Sequence, residues 1–285
     1  MDVQIYGKIK DHEFHMIKLA VETLDRTHKG ALKLNLHELT DTDWESFLTE
    51  KKTDIRGEIW GFKNGTMAFV EGELIGNGDD FMRWTKDKFG MIDFRPPAFY
   101  EALANQAYKG YLENTEREFV YVDFTHDKRP MGRVIFELYK DIVPDTVKNF
   151  VDLLCSKTDN KKFASTSMHR IVKNGWVQGG DFVNGSGGNS ESFEGGKFSD
   201  ENYAVKHLKR GTIGMANDGR GPHTNGSQFY ITFAPAPWMD QQYVAFGCLI
   251  EGMSVLDDIE NVETYNERPK RPLCIHDCGL LKNAL

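Results

Sequence analysis

The sequence predicts an α/β domain over residues 1–90, a helical linker over 91–117 and a mainly-β barrel with flanking helices over 118–285. Three observations carry that division. The first ninety residues alternate between strand-period and helix-period apolar patterns. Pro96-Pro97 cannot continue a preceding helix. From Glu118 onward short alternating strands dominate, with few helices between them, as in a closed or nearly closed barrel. At 285 residues the chain suits two cores, since domains cluster around ~100–150 residues.

The elements follow in order. VQIY at 3–6 is a short strand, and Ile17, Ala20, Val21 and Leu24 then fall at i, i+3, i+4, i+7 on one helix face. ALKLNLHEL alternates Leu32, Leu34 and Leu36 as a half-buried strand does. DTDWESFLTEKK opens with Asp and Thr as cap candidates and sets Trp44, Phe47 and Leu48 on one face. MAFVEGELIG reads as a hairpin turning at Glu71-Gly72, and Asp79 or Asp80 caps a last helix bearing Phe81 and Trp84. In GNGDD, residues 76–80, backbone N–H groups at a helix start offer a place for an anion; an Asp-capped helix after a glycine turn explains the same letters. AFYEALANQAYKGYLENTERE reads as a helix and a rigid connector. Beyond it EFVYVDF and GRVIFELY alternate as strands, and DIVPDTVKNFVDLL is a Pro-initiated helix with Val147, Phe150, Val151 and Leu154 inward.

Charge and cysteine usage exclude several function classes. The formal net charge of −8 is shared, with 16 Lys/Arg against 21 Asp/Glu in residues 1–117, and neither part carries the basic stripe that nucleic acid requires. No nucleic-acid partner is expected, and no membrane: no stretch approaches the ~18 apolar residues of a span, and MDVQIYGKIKDHE lacks a secretory run. Cys155, Cys248, Cys274 and Cys278 suit a reducing compartment, hence a cytoplasmic protein. LCIHDC alternates like a strand, and strand residues four apart stand ~13 Å from each other at ~3.3 Å rise, so no metal is read there. The glycine-rich GGDFVNGSGGNSESFEGG lacks the Gly-Lys-Ser/Thr of a phosphate loop. No cofactor is implied.

The second half carries the chemistry. HRIVKNGWVQGGDF, GTIGMAN, TNGSQFYIT and PWMDQQYVAFGCLIEGMSVLDDI match, in order, the motifs of cyclophilins, so residues 118–280 resemble a peptidyl-prolyl cis/trans isomerase domain. Rotation about an X–Pro bond faces a barrier of ~18–20 kcal/mol set by amide resonance. A catalyst needs neither nucleophile nor base, only an apolar socket for the ring and a donor aimed at the prolyl nitrogen as its lone pair localises. Taken alone, Arg170 is a surface salt-bridge residue. Within the HRI and QGGDF frame the resemblance makes it the catalytic donor, a fixed fork that cannot lose its charge. By the same resemblance Gln178 steadies the guanidinium and the substrate carbonyl, Ala216, Asn217 and Gln228 supply the floor and hold the substrate backbone, and Trp238 forms the rim. His169 reads as a satisfied core or rim histidine.

The departures lie in the socket. Gly175 stands where the family has its first socket phenylalanine, and Trp176 replaces the methionine beside it. Tyr230 takes the place of the second phenylalanine, Met239 of a leucine and Tyr243 of the usual histidine. Losing a buried ring removes about 1.5–3 kcal/mol of apolar contact. Trp176 is the pocket substitute if its backbone places it inward, strand neighbours facing opposite ways. The implied function is a divergent isomerase that binds proline-containing protein segments, with weak or absent turnover. Its alternative is an inactive interaction or structural module in a larger assembly.

FVEGELIGNGDDF and the order β-α-β-α-β-β-α resemble thioredoxin-like and glutaredoxin domains. Such enzymes need a low-pKa cysteine, and no cysteine precedes Cys155 here, so the leader resembles the fold without its redox chemistry. The pairing of this leader with a cyclophilin domain is similar to the divergent cyclophilin-like subfamily six, which implies a protein assembly held through the N-terminal domain and an association with the cilium or axoneme. Cys155 is expected to be buried in its helix, and some of Trp44, Trp60 and Trp84 to face a partner or the barrel.

Overall fold

The computed structural model describes residues 1–27, 32–113, 116–158, 161–219 and 221–283. Ala31 at the head of the expected second strand, Asn114 and Thr115 in the expected linker, and Arg220 in the MANDGRGPHTNG loop lie outside these residues. The chain divides into two compact units, Met1–Thr115 and Glu116–Leu285.

The first unit contains β1 (Asp2–Lys8), α1 (His12–Thr27), β2 (Lys33–Leu39), α2 (Asp41–Ile55), β3 (Thr66–Val70), β4 (Glu73–Gly76), α3 (Gly78–Phe89) and α4 (Pro97–Glu113). Its sheet runs β2-β1-β3-β4, with β1 parallel to β2 and antiparallel to β3. Val3 and Ile5 of β1, Phe14, Ile17 and Val21 of α1, Ala68 and Val70 of β3 and Phe81 of α3 form one buried cluster. Trp44 and Leu48 pack with Met67 and Phe69 in a second cluster. Glu71 and Gly72 both take positive φ, 50° and 81°, the backbone of a two-residue hairpin turn matched to strand twist.

Three sequence readings change here. The cap of α2 is Thr40, whose side chain accepts from the Asp43 amide, rather than Asp41 or Thr42. The cap of α3 is Asn77, in a reciprocal box with Asp80, rather than Asp79 or Asp80. That box, with the Gly78 amide donating to Glu13 Oε2 at 3.1 Å, places the protein's own carboxylates where the GNGDD amides would receive an anion. The expected linker helix, α4, packs against α1 through buried Tyr100 and Ala104 and belongs to the first unit. The boundary therefore follows it instead of containing it.

The second unit contains β5 (Glu118–His126), β6 (Arg129–Leu138), α5 (Pro144–Cys155), β7 (Arg170–Val172), β8 (Trp176–Gly179), β9 (Thr212–Met215), β10 (Phe229–Thr232), β11 (Ala245–Glu251), α6 (Met253–Glu260), the ribbon β12 (Thr264–Tyr265) and β13 (Arg268–Pro269), and β14 (Leu273–Leu280). Eight strands form one antiparallel sheet in the order β14-β5-β6-β11-β9-β10-β8-β7. The sheet then returns on itself: Ser167, just before β7, bridges Cys274 of β14, and the Met168 amide donates to the Leu273 carbonyl at 2.8 Å. Closing the edges removes unpaired backbone groups that would otherwise template other strands.

Inside lie Val120, Val122, Phe136, Ile213, Phe229, Ile231, Phe246 and Ile275, with α5 adding Val147, Phe150 and Leu154 and α6 adding Leu256 and Ile259. Phe150 meets Phe163, Phe229 and Phe246 with ring centroids 4.9–5.2 Å apart. Pro144 begins α5, where its missing amide costs nothing. Cys155, expected to be buried, is exposed at the last position of α5.

Candidate functional site

The site lies on one face of the β7–β8 hairpin, beside the 3-10 turn 237–239. Arg170 pairs with Gln178 and Val172 with Trp176, so all four side chains leave the same face, while Val177 enters the core. Trp176 lies on the same face as Arg170. It packs with Tyr243 against a buried group of Ala216, Tyr230, Ala236 and Met239. Gly175 closes the turn, its amide donating to the Val172 carbonyl at 2.8 Å, and a Cβ there would lie 3.0 Å from Val172 Cγ1.

Arg170 is 43 % exposed, and its Cζ stands 5.3 Å from the centre of the Trp176 ring. A guanidinium over an indole gains from the ring quadrupole. Its Nε donates to Glu267 Oε2 at 2.7 Å. Gln178, expected to steady this guanidinium, is bonded elsewhere: its Nε2 donates to Gln228 Oε1 at 2.8 Å and its Oε1 accepts from Trp176 Nε1 at 3.4 Å. The role read for Gln178 at the arginine is filled by Glu267.

Gln228 is buried, and its amide also donates to the carbonyls of Gly187 and Asn189, at 2.9 and 2.8 Å. Its side chain is committed to the protein, so it stiffens the floor rather than reaching out. The loop it grips is organised by Asp181. Burial works to raise that carboxyl, but amides of Asn184, Asn189, Val183 and Gly187 outweigh it and hold the group below its ordinary range. Ala216 donates its amide to the Gln228 carbonyl at 2.9 Å. Asn217 stabilises its own loop, accepting from the Gly219 amide at 3.1 Å and donating to the Gln242 carbonyl at 3.4 Å. Trp238 is 59 % exposed, and Met239 beside it is buried.

Beneath the socket lies a polar chain that sequence reading missed. Tyr230, 1 % exposed, meets His207 Nε2 with its hydroxyl at 2.6 Å, and His207 Nδ1 meets Asp240 Oδ1 at 2.8 Å. Asp240 also accepts from the His207 amide at 2.9 Å. With Nδ1–H directed at the carboxylate, Nε2 is the acceptor and Tyr230 the donor. Burial lowers the His207 pKa more than Asp240 raises it, and burial pushes the Tyr230 phenol well up, so both are neutral. Gly214 makes room: a Cβ there would overlap the Tyr230 hydroxyl and Cζ and stand 3.0 Å from Cε2. His169, next to Arg170 in the chain, is buried as expected, but its Nδ1 has no hydrogen-bond partner among the described residues. Desolvation lowers its pKa.

A curled eight-stranded antiparallel sheet with Arg170 and Trp176 beside one apolar cluster fits a cyclophilin-type protein. The chain belongs to that family: residues 121–280 match cyclophilin type peptidyl-prolyl cis-trans isomerase/CLD. Over nearly all of its length it is similar to two proteins named "Probable inactive peptidyl-prolyl cis-trans isomerase-like 6". The one from Bos taurus is 41% identical over 288 residues, covering 99% of this chain and 93% of that protein. The one from Mus musculus is 42% identical over 289 residues, covering 99% and 91%. A stretch of 166 residues is 42% identical to peptidyl-prolyl cis-trans isomerase D of Saccharomyces cerevisiae, covering 58% of this chain and 73% of that protein.

Proposed function

We propose that the second unit binds proline-containing protein segments at the recess formed by Trp176, Tyr230, Met239 and Tyr243, and turns them over slowly or not at all. The observation that carries this is the placement of Arg170 beside a recess whose aromatic wall has been rebuilt with Trp176. A guanidinium there faces a localising prolyl lone pair, an interaction that strengthens at the twisted amide. Ala216, Asn217 and Gln228 hold the floor, and Trp238 forms the lip.

The first unit is read as a thioredoxin-like domain without redox chemistry. Its support is the strand order β2-β1-β3-β4, with β1 parallel to β2 and antiparallel to β3, and the absence of cysteine before Cys155. A second reading makes the whole chain an inactive module anchored in a cytoplasmic or axonemal assembly. It is favoured by the names of relatives that match nearly the full chain and by Trp60 and Phe94, which stand 64% and 88% exposed on the first unit. Aromatics of this kind are enriched at interfaces.

NMR exchange spectroscopy on an X–Pro peptide, with and without the protein, separates the readings. Binding with cis/trans exchange that falls at least about tenfold in Arg170→Ala, mainly in kcat, supports an isomerase. Binding without exchange supports the inactive module. Equal exchange in wild type and Arg170→Ala would remove Arg170 from the mechanism.

A further inference from the structure

Glu267 has no role in the site as read from sequence, yet its contacts converge on the arginine. It lies in the two-residue turn of the β12–β13 ribbon, where Asn266 and Glu267 take φ of 47° and 64°. Such turns favour Asn-Gly because the second position needs a left-handed backbone that side chains resist. Here a glutamate accepts that strain. Non-glycine residues in this region persist where the surrounding structure holds them, and they cluster at functional sites. Two contacts hold this one. Its carbonyl accepts from the Ile171 amide at 2.7 Å, and its carboxylate takes Arg170 Nε at 2.7 Å. Backbone and side chain of one residue thus clasp two consecutive residues of β7.

Resting on the reading of Arg170 as the donor to the prolyl nitrogen, we propose that Glu267 is a positioning residue that damps this site. Its carboxylate fixes the guanidinium through Nε, leaving the Nη groups outside that hydrogen bond, and cancels part of the charge that would stabilise the twisted amide. The neutral amide of Gln178, across the ladder from Arg170, would orient the guanidinium without that cancellation, but it is bonded to Gln228 and Trp176 instead. The same carboxylate sets flank preference. A segment with an acidic residue beside the proline meets a neutral pair rather than a free cation, and like-charge repulsion from Glu267 opposes it.

Arg170 is 43% and Glu267 46% exposed, so the pair is partly screened and the effect is moderate. Glu267→Gln keeps an acceptor of the same length and removes the charge. Turnover of an X–Pro peptide is expected to rise roughly three- to tenfold, in kcat rather than KM, the scale of one partly screened charge near the reacting atoms. Binding of an Asp-Pro peptide should tighten relative to its Ala-Pro counterpart by a similar factor. Both gains should vanish in Arg170→Ala/Glu267→Gln, whereas a purely structural turn residue would show neither. Peptide binding followed by NMR titration reports separately on the recess. If wild type and Glu267→Gln bind peptide equally and the variant is no faster and no more tolerant of acidic flanks, damping by Glu267 is overturned while the binding site stands. If neither binds peptide, the reading of the recess is itself overturned, and this inference with it.

Discussion

Removing one oxygen from Tyr230 isolates the buried chain beneath the socket. Tyr230→Phe preserves the ring and its edge contact with Tyr243, whose centroid is 5.9 Å away, but leaves His207 Nε2 without its 2.6 Å partner. His207 is fully buried, so no water replaces the hydroxyl at the protein surface. An orphaned buried acceptor costs about 1–3 kcal/mol. At roughly 2–4 °C per kcal/mol for a domain of this size, the second unit should melt about 2–12 °C lower. Calorimetry of the full chain reads this as a shift of the barrel's transition. Replacing both partners, in His207→Leu/Tyr230→Phe, should recover part of the loss, because two apolar groups leave nothing unsatisfied. Asp240 would keep its bond to the backbone amide of residue 207. A Tyr230→Phe protein melting within about 1 °C of wild type, or a double variant that loses the full sum of the two single changes, would refute the chain as drawn.

Two further outcomes follow from the same geometry. Gly214→Ala places a methyl against a ring pinned by its hydroxyl, so it should destabilise the barrel by about 1–3 kcal/mol in urea titrations, and a neutral result would mean that the ring moves freely. Stability should also fall in mild acid. The folded-state pKa of His207 lies below its ordinary 6.5, so the unfolded chain takes up the proton first, and this contribution is intact above about pH 6.5 and lost as pH falls. Burial raises and the His207 amide and ring lower the Asp240 carboxyl, which ends below its ordinary 3.8, so its share is lost only on further acidification. Unfolding free energies measured from pH 8 to 5 should decline, less steeply in His207→Gln, whose side chain does not titrate; a flat profile would contradict this.

Local order was legible where one residue type has one use. Pro144 announced the start of α5, and Glu71-Gly72 announced the hairpin. The caps of α2 and α3 were misplaced by one to three positions because Thr40, Asp41 and Thr42, like Asn77, Asp79 and Asp80, are all competent acceptors; backbone angles choose among them. That α4 packs was hidden because its buried face is Tyr100 and Ala104 alone, too little apolar surface to separate a docked helix from a connector. The site's motif residues were legible as a resemblance; the face taken by Trp176 was not, because alternation alone leaves both faces open and only the β7–β8 register chooses between them. The partners were not. Glu267 lies 97 positions from Arg170, and Asp240 and His207 are 33 apart. No periodicity links such pairs; only the closure of the barrel brings them together.

That closure also orders events in time. The seam joins β14 both to β5 and to the segment 165–168, so residues such as Thr125 and Cys274, 149 positions apart, must meet before the cylinder exists. The loop entropy of that meeting comes before any contact rewards it, which makes the barrel the slow unit. The first unit's sheet needs nothing beyond β4 and can form while the rest of the chain is still being synthesised. During synthesis β5 waits with an open edge, and a chain stalled before residue 273 would present a sticky, unfinished cylinder behind an already folded leader.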